Sequence, residues 1–126
     1  MLDASVIAKL IMREENYRRA AEEIEVHGET MDLALIEVSN VILKYYRRGE
    51  LSLQEARERF RELQELSKSL KLASSREFLE QAFEIALEND LTIYDSLYIV
   101  GSDALITADA KQARKAERMG RQVTLV

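Results

Sequence analysis

The chain contains no cysteine and no proline, a single histidine, and no long uninterrupted apolar run. Without cysteine there is neither a disulfide framework nor a thiolate metal site. One histidine, His27, rules against a histidine-rich metal centre and a histidine-based triad. Beside Gly28 it is expected at a helix C-terminus, near the last carbonyls. Without proline there are no X-Pro turns, and long helices run uninterrupted. No segment approaches the roughly 20 apolar residues that a membrane-spanning helix requires. The N-terminus shows no basic region followed by an apolar one, so no secretion signal is expected and the cytoplasm is the default location.

What is present is a globular composition. The 126 residues are 47% apolar and 33% charged, which predicts one domain over 1–126 with one core. The net charge of -5 disfavours coating nucleic acid by bulk charge. It is compatible with an enzyme that draws metal into an acidic pocket and keeps a local basic strip.

Apolar periodicity and capping residues divide the chain into short alternating elements. Met1-Leu2 reads as the remnant of a first strand ended by Asp3, followed by a helix over 4–12. Asn16 starts a helix over 17–27 that Gly28 stops, and a second strand is expected over 31–34. A helix over 35–48 ends at Gly49, and a Ser52–Glu55 capping box opens its partner over 53–69. These two should form an antiparallel hairpin. A weak third strand over 70–73 leads to a Ser74–Glu77 capping box and a helix to Asn89, with Phe78, Leu79, Ala82 and Ala86 facing inward. Thr92 and Asp95 open a helix through Val100, and Ala104 to Thr107 is a buried strand. Asp109 opens the last helix, ending at Gly120, and 122–126 is the final strand. Strands alternating with helices define an α/β fold with a largely parallel sheet.

Four acids stand in similar settings: Asp3, Glu37, Asp95 and Asp109. Each aspartate alone has an ordinary explanation as a helix cap or capping-box partner. Glu37 does not. It lies between Ile36 and Val38, its i+4 neighbour is Val41, and only Asn40 shares its face. A glutamate entering an apolar layer is costly unless a cation or proton compensates. In an open parallel sheet, ligands bind beyond the carboxyl ends of the strands. The strand reading puts Asp3 and Asp109 there, with Glu37 and Asp95 in the first turns of helices starting at the same edge. Four carboxylates together would repel one another, which invites Mg²⁺ or Mn²⁺. Such an ion supports hydrolysis of a phosphodiester by an activated water.

At this point the chain resembles the PIN-domain ribonucleases, and most closely the toxin subunit of VapBC-type toxin–antitoxin pairs. The resemblance spans essentially the whole chain. It rests on Leu2-Asp3-Ala4-Ser5, Glu37-Val38-Ser39-Asn40, Tyr94-Asp95-Ser96-Leu97-Tyr98 and Leu105-Ile106-Thr107-Ala108-Asp109. It implies a three-layer α/β/α fold with a mainly parallel five-stranded sheet of order 3-2-1-4-5, and metal-dependent cleavage of RNA. The family's acidic quartet falls on Asp3, Glu37, Asp95 and Asp109, with Ser5, Asn40 and Thr107 at supporting positions. The resemblance also implies a cognate VapB-like antitoxin whose tail lies in the active-site groove, and a homodimer. Two departures stand out. Only Met1 and Leu2 precede Asp3, and the segment from Asp95 to Asp109 is about one helical turn short, with Asp103 as a substitute ligand if Asp109 is displaced.

Lys111, Arg114, Lys115 and Arg118 follow at i, i+3, i+4 and i+7 on the last helix. They form either a solvated face or a strip that steers RNA phosphates toward the metal. Tyr45, Tyr46 and Phe60 on the hairpin serve intrachain packing or a protein contact. Two rival functions remain on the sequence: a PIN-like RNA- or protein-binding module without catalysis, and a receiver-type signalling domain. The second lacks an aspartate at the end of its third strand, Leu70 to Ser75.

Overall fold

Seven helices and four short strands alternate along Met1–Val126, all of which the computed structural model describes. α1 (Ala4–Ile11) begins at Asp3, whose carboxylate accepts the Ser5 amide, and it buries Ala4, Val6, Ile7, Ala8 and Ile11. α2 (Tyr17–His27) stops at Gly28, which takes a φ of +57° to close the C-terminus. His27 pairs with Glu23 at 3.1 Å rather than with the terminal carbonyls. Then follow β1 (Glu29–Met31), α3 (Leu33–Arg47), α4 (Leu53–Ser67), β2 (Lys71–Ala73) and α5 (Ser75–Asn89). α6 (Ile93–Val100), β3 (Ala104–Thr107), α7 (Ala110–Arg118) and β4 (Gln122–Leu125) complete the chain.

The strands form two parallel ribbons. β1 pairs with β2 from Glu29–Lys71 to Met31–Ala73, and β3 pairs with β4 from Ala104–Gln122 to Thr107–Leu125. Leu2, fully buried, bridges in parallel to Thr30 on one side and Ile106 on the other. Its amide donates to the Glu29 carbonyl at 2.9 Å, the Asp3 amide donates to Ile106 at 2.9 Å, and the Ile106 amide donates to Met1 at 2.8 Å. The stunted first strand is therefore a single bridging residue. It joins the two ribbons and delivers Asp3 to their carboxyl ends.

One hydrophobic core runs through the molecule, with Leu2, Ile7, Met31, Leu63, Ile99, Leu105 and Ile106 fully buried in it. Each such side chain is worth about 1.5–3 kcal/mol of transfer free energy. Gly101 ends α6 inside this core. A Cβ there would stand 2.8 Å from the Met31 side chain and 3.1 Å from that of Met1, so a larger residue would require these two flexible side chains to shift.

Three expectations need correction. The predicted second strand lies two residues earlier and ends at Met31, and Leu33 and Ala34 are already the first residues of α3. A short apolar run does not distinguish strand from helix, and Leu and Ala both favour helix. As a result Glu37 sits in the second turn of α3, not the first. The Ser74–Glu77 capping box does not form, since the Ser74 side chain makes no capping bond. Asp32 takes over the role from a distance, its Oδ1 accepting the Ser75 amide at 3.1 Å. Finally, of the α5 residues expected inside, only Ala82 is buried, and Leu79 is 49% exposed. α5 packs chiefly on α6, so one side of it has no partner layer. The Ser52–Glu55 capping box is present in both directions, at 3.1 and 3.0 Å, and α3 packs on α4 as expected.

Candidate metal centre

The four acids reach one cavity from four separate elements. Asp3 follows the bridging Leu2, Glu37 lies on α3, Asp95 in the first turn of α6, and Asp109 caps α7. All four line a cavity of about 90 Å³, together with Ser5, Tyr98 and Gln112.

Asp3 is the most enclosed, at 5% exposure. Its Oδ1 accepts the Ser5 amide at 3.0 Å and the Ser5 hydroxyl, while Oδ2 accepts the Thr107 hydroxyl. Ser5 Oγ in turn accepts the Ala108 amide at 2.8 Å, and Thr107 Oγ1 accepts the Asp109 amide at 3.0 Å. This chain of hydroxyls ties α1 to the end of β3 and fixes the Asp3 carboxylate. Burial pushes its pKa up, and the Ser5 and Thr107 hydrogen bonds only partly offset that.

Glu37 Oε1 accepts the Tyr98 hydroxyl at 2.8 Å. Burial raises the Glu37 pKa, the Tyr98 bond opposes the rise, and the charges of Asp3 and Asp95 add to it. The Tyr98 phenol is itself pushed far up, by burial and then by Glu37, and stays protonated as the donor. The Asp95 amide donates to Thr92 Oγ1 at 3.2 Å, but the Asp95 carboxylate does not complete a capping box. Oδ2 instead accepts Lys115 Nζ at 2.8 Å, and the Asp95 carbonyl accepts Gln112 Nε2 at 3.2 Å. Asp109, exposed at the rim, accepts the amides of Lys111 at 2.8 Å and Gln112 at 3.4 Å.

As the side chains lie, no three acidic groups are gathered closely enough to grip an ion. Each carboxylate is turned to a donor of the protein. The donor set nevertheless fits a hard divalent cation, being all oxygen, with Asp3 and Glu37 held in surroundings that favour neutralisation.

Ser5 and Thr107 therefore sit on Asp3, whereas Asn40 is exposed and absent from the cavity lining. Asp103 is fully exposed, pairs with Arg121 at 3.0 Å, and does not line the cavity. Lys111, Arg114 and Arg118 are exposed on α7. Lys115 departs from that strip, because it is half-buried in the site. Tyr98 and Gln112 had no site role in the sequence reading, and Lys115, expected on the strip facing RNA, instead pairs with Asp95. Tyr98 follows Asp95, and Gln112 follows Asp109, at the i+3 spacing that brings helical residues to one face. That spacing was the available signal for these two. The Lys115–Asp95 pair joins separate helices and has no local signature.

The chain belongs to the PIN-domain family, whose pattern matches residues 1–118. Within that family it is similar to the VapC type: it is 38% identical to Ribonuclease VapC3 of Pyrobaculum aerophilum, over 91% of this chain and 92% of that protein. The resemblance read from the sequence is borne out. The crystal structure of PAE2754 from Pyrobaculum aerophilum shares the fold, with a TM-score of 0.71 at 22% identity, covering 97% of this chain and 81% of that one.

Proposed function

We propose that this protein is a VapC-like toxin, a Mg²⁺- or Mn²⁺-dependent endoribonuclease that hydrolyses RNA phosphodiester bonds. The observation that carries the reading is the convergence of Asp3, Glu37, Asp95 and Asp109 on one cavity at the carboxyl ends of parallel strands. The relative named as a ribonuclease supports the reaction class. In this reading Leu2 stands for the central strand of the 3-2-1-4-5 sheet in a three-layer α/β/α domain.

The four carboxylates hold the ion. When bound, it lowers the pKa of a water, orients the phosphate and stabilises the leaving oxygen. Ser5 and Thr107 keep the Asp3 carboxylate aimed, and Tyr98 fixes Glu37 through Oε1, leaving Oε2 free. With its pKa raised and Oε2 free, Glu37 is the better proton acceptor for the attacking water. Lys111, Arg114 and Arg118 on α7 contact the RNA backbone.

A VapB-like antitoxin and a second copy are the protein partners implied by the resemblance. Tyr46 and Phe60 are exposed on a groove between α3 and α4, which is the contact surface proposed for them. The cytoplasm is the proposed location, and no helix is long and apolar enough to cross a membrane.

One observation favours a non-catalytic binding module instead: each of the four carboxylates already accepts from a donor of the protein. RNA cleavage in Mn²⁺ by wild type and Asp95→Asn separates the two. Cleavage lost in the variant and blocked by EDTA supports the nuclease. Equal inactivity of two folded, metal-loaded proteins supports the binding module.

A further inference from the structure

Lys115 is the only basic side chain paired with any of the four acids. Its Nζ lies 2.8 Å from Asp95 Oδ2, with 35% of the lysine side chain and 29% of the aspartate exposed. Fully exposed ion pairs are weak because water and salt compete for both partners. This one is half-shielded, and its aspartate lines the cavity together with Asp3, Glu37 and Asp109. The other basic residues of the same helix face, Lys111, Arg114 and Arg118, point to solvent. Lys115 alone turns inward.

We propose that Lys115 is a built-in counter-cation of the acid cavity, holding Asp95 until a divalent ion displaces it and thereby setting metal affinity. The proposal rests on the metal-site reading above. Asp95 cannot serve a divalent ion and an adjacent ammonium equally well, since the two cations repel. Metal entry is therefore an exchange, in which the ammonium swings out on its four-carbon stem. Once released it lies one turn from Lys111 on the same face of α7, where it adds to the positive charge facing RNA phosphates. Metal occupancy and RNA binding then reinforce each other. Lys115 acts through Asp95 and is a positioning residue.

The test is Mn²⁺ titration by calorimetry on wild type, Lys115→Gln and Lys115→Arg at low ionic strength. Lys115→Gln should bind Mn²⁺ about three- to tenfold more tightly, in line with the strength of a partly shielded pair. Lys115→Arg should match wild type. In chelator Lys115→Gln should melt below wild type, with the gap closing at saturating Mn²⁺. A merely structural lysine gives the opposite result, with Mn²⁺ affinity unchanged or weakened by Lys115→Gln, and that overturns the proposal alone. Absence of Mn²⁺ binding by the wild type overturns both the proposal and the metal-site reading. Should Lys115→Gln fail to fold, the native protein gives the answer. Acetylation of Lys115, followed by peptide mass spectrometry, should be several-fold faster in Mg²⁺ than in EDTA, and equal rates contradict the exchange.

Discussion

Two concave surfaces of the molecule are of opposite character. The acid cavity is small, about 90 Å³, and its carboxylates are held by hydroxyls, amides and one ammonium. The groove between α3 and α4 is larger, about 510 Å³, and is lined by Ile42, Leu43, Tyr46, Leu53 and Phe60. Size alone would select the groove. Chemistry selects the cavity, because orientation at a reacting centre comes from directional bonds, and an apolar wall supplies only area. The groove is suited to a partner whose own apolar side chains fill it. The two surfaces share α3, with Glu37 facing the cavity and Ile42, Leu43 and Tyr46 the groove, so one helix contributes to both.

The comparison breaks most sharply at the acids. Asp95→Asn or Asp109→Asn should lower RNA cleavage by at least about a hundredfold with the fold retained, as judged by circular dichroism. Cleavage that survives both changes would collapse the distinction between the surfaces. The groove predicts the converse. Phe60→Asp or Tyr46→Asp should leave cleavage and Mn²⁺ binding intact. Affinity for an antitoxin, or dimerisation measured by sedimentation, should fall by about thirtyfold or more if these aromatics anchor the contact. Lost cleavage instead would mean that the two surfaces are coupled.

A smaller effect sharpens the border between them. With Lys115 engaged in the site, the accessible strip is Lys111, Arg114 and Arg118. Reversing Arg114 and Arg118 to Glu should weaken RNA binding about tenfold and reduce its salt dependence, with Mn²⁺ affinity unchanged. Fluorescence anisotropy across a salt series reads both quantities.

The smallest effect is on stability. Glu37 has a raised pKa in the folded chain, so folding favours its protonated form. Its contribution to stability is full below the ordinary carboxylate value and is lost as pH rises through the elevated one. In chelator at neutral pH, Glu37→Gln should therefore melt higher than wild type, by about 2–4 °C. Its advantage should shrink as pH falls toward the ordinary carboxylate range. A variant that melts lower at every pH would show that the carboxylate stabilises the empty site.

Much of this was legible in the sequence, and the reasons differ by element. Helix ends with local signatures were read correctly: Ser52 with Glu55, Gly28 after His27, Thr92 before α6, Asp109 before α7. The strand 104–107 stood out as an apolar run between turns. Leu33 and Ala34 carry no such signal, and they were misread as the end of a strand because only the pairing of Glu29 to Met31 with β2 decides the boundary. The Ser74 cap failed for a similar reason, since Asp32 supplies the bond from 43 residues away. At the site, the acids could be named because strand ends and helix starts place them at one edge. Ser5 and Thr107 on Asp3 were named with them, whereas the bonds of Tyr98 to Glu37 and of Lys115 to Asp95 join separate elements and left no local signature of the pairing. The outward face of α5 remained hidden because periodicity gives a stripe and not what covers it.

The central claim is that the four carboxylates form one metal site, and a Mn²⁺-soaked crystal tests it most directly. The account predicts a single anomalous peak, or a close pair, inside the cavity within bonding reach of Asp3, Glu37, Asp95 and Asp109, with the Lys115 ammonium withdrawn from Asp95. An empty cavity at millimolar Mn²⁺, with Lys115 still on Asp95 and ions only at surface glutamates, would contradict it.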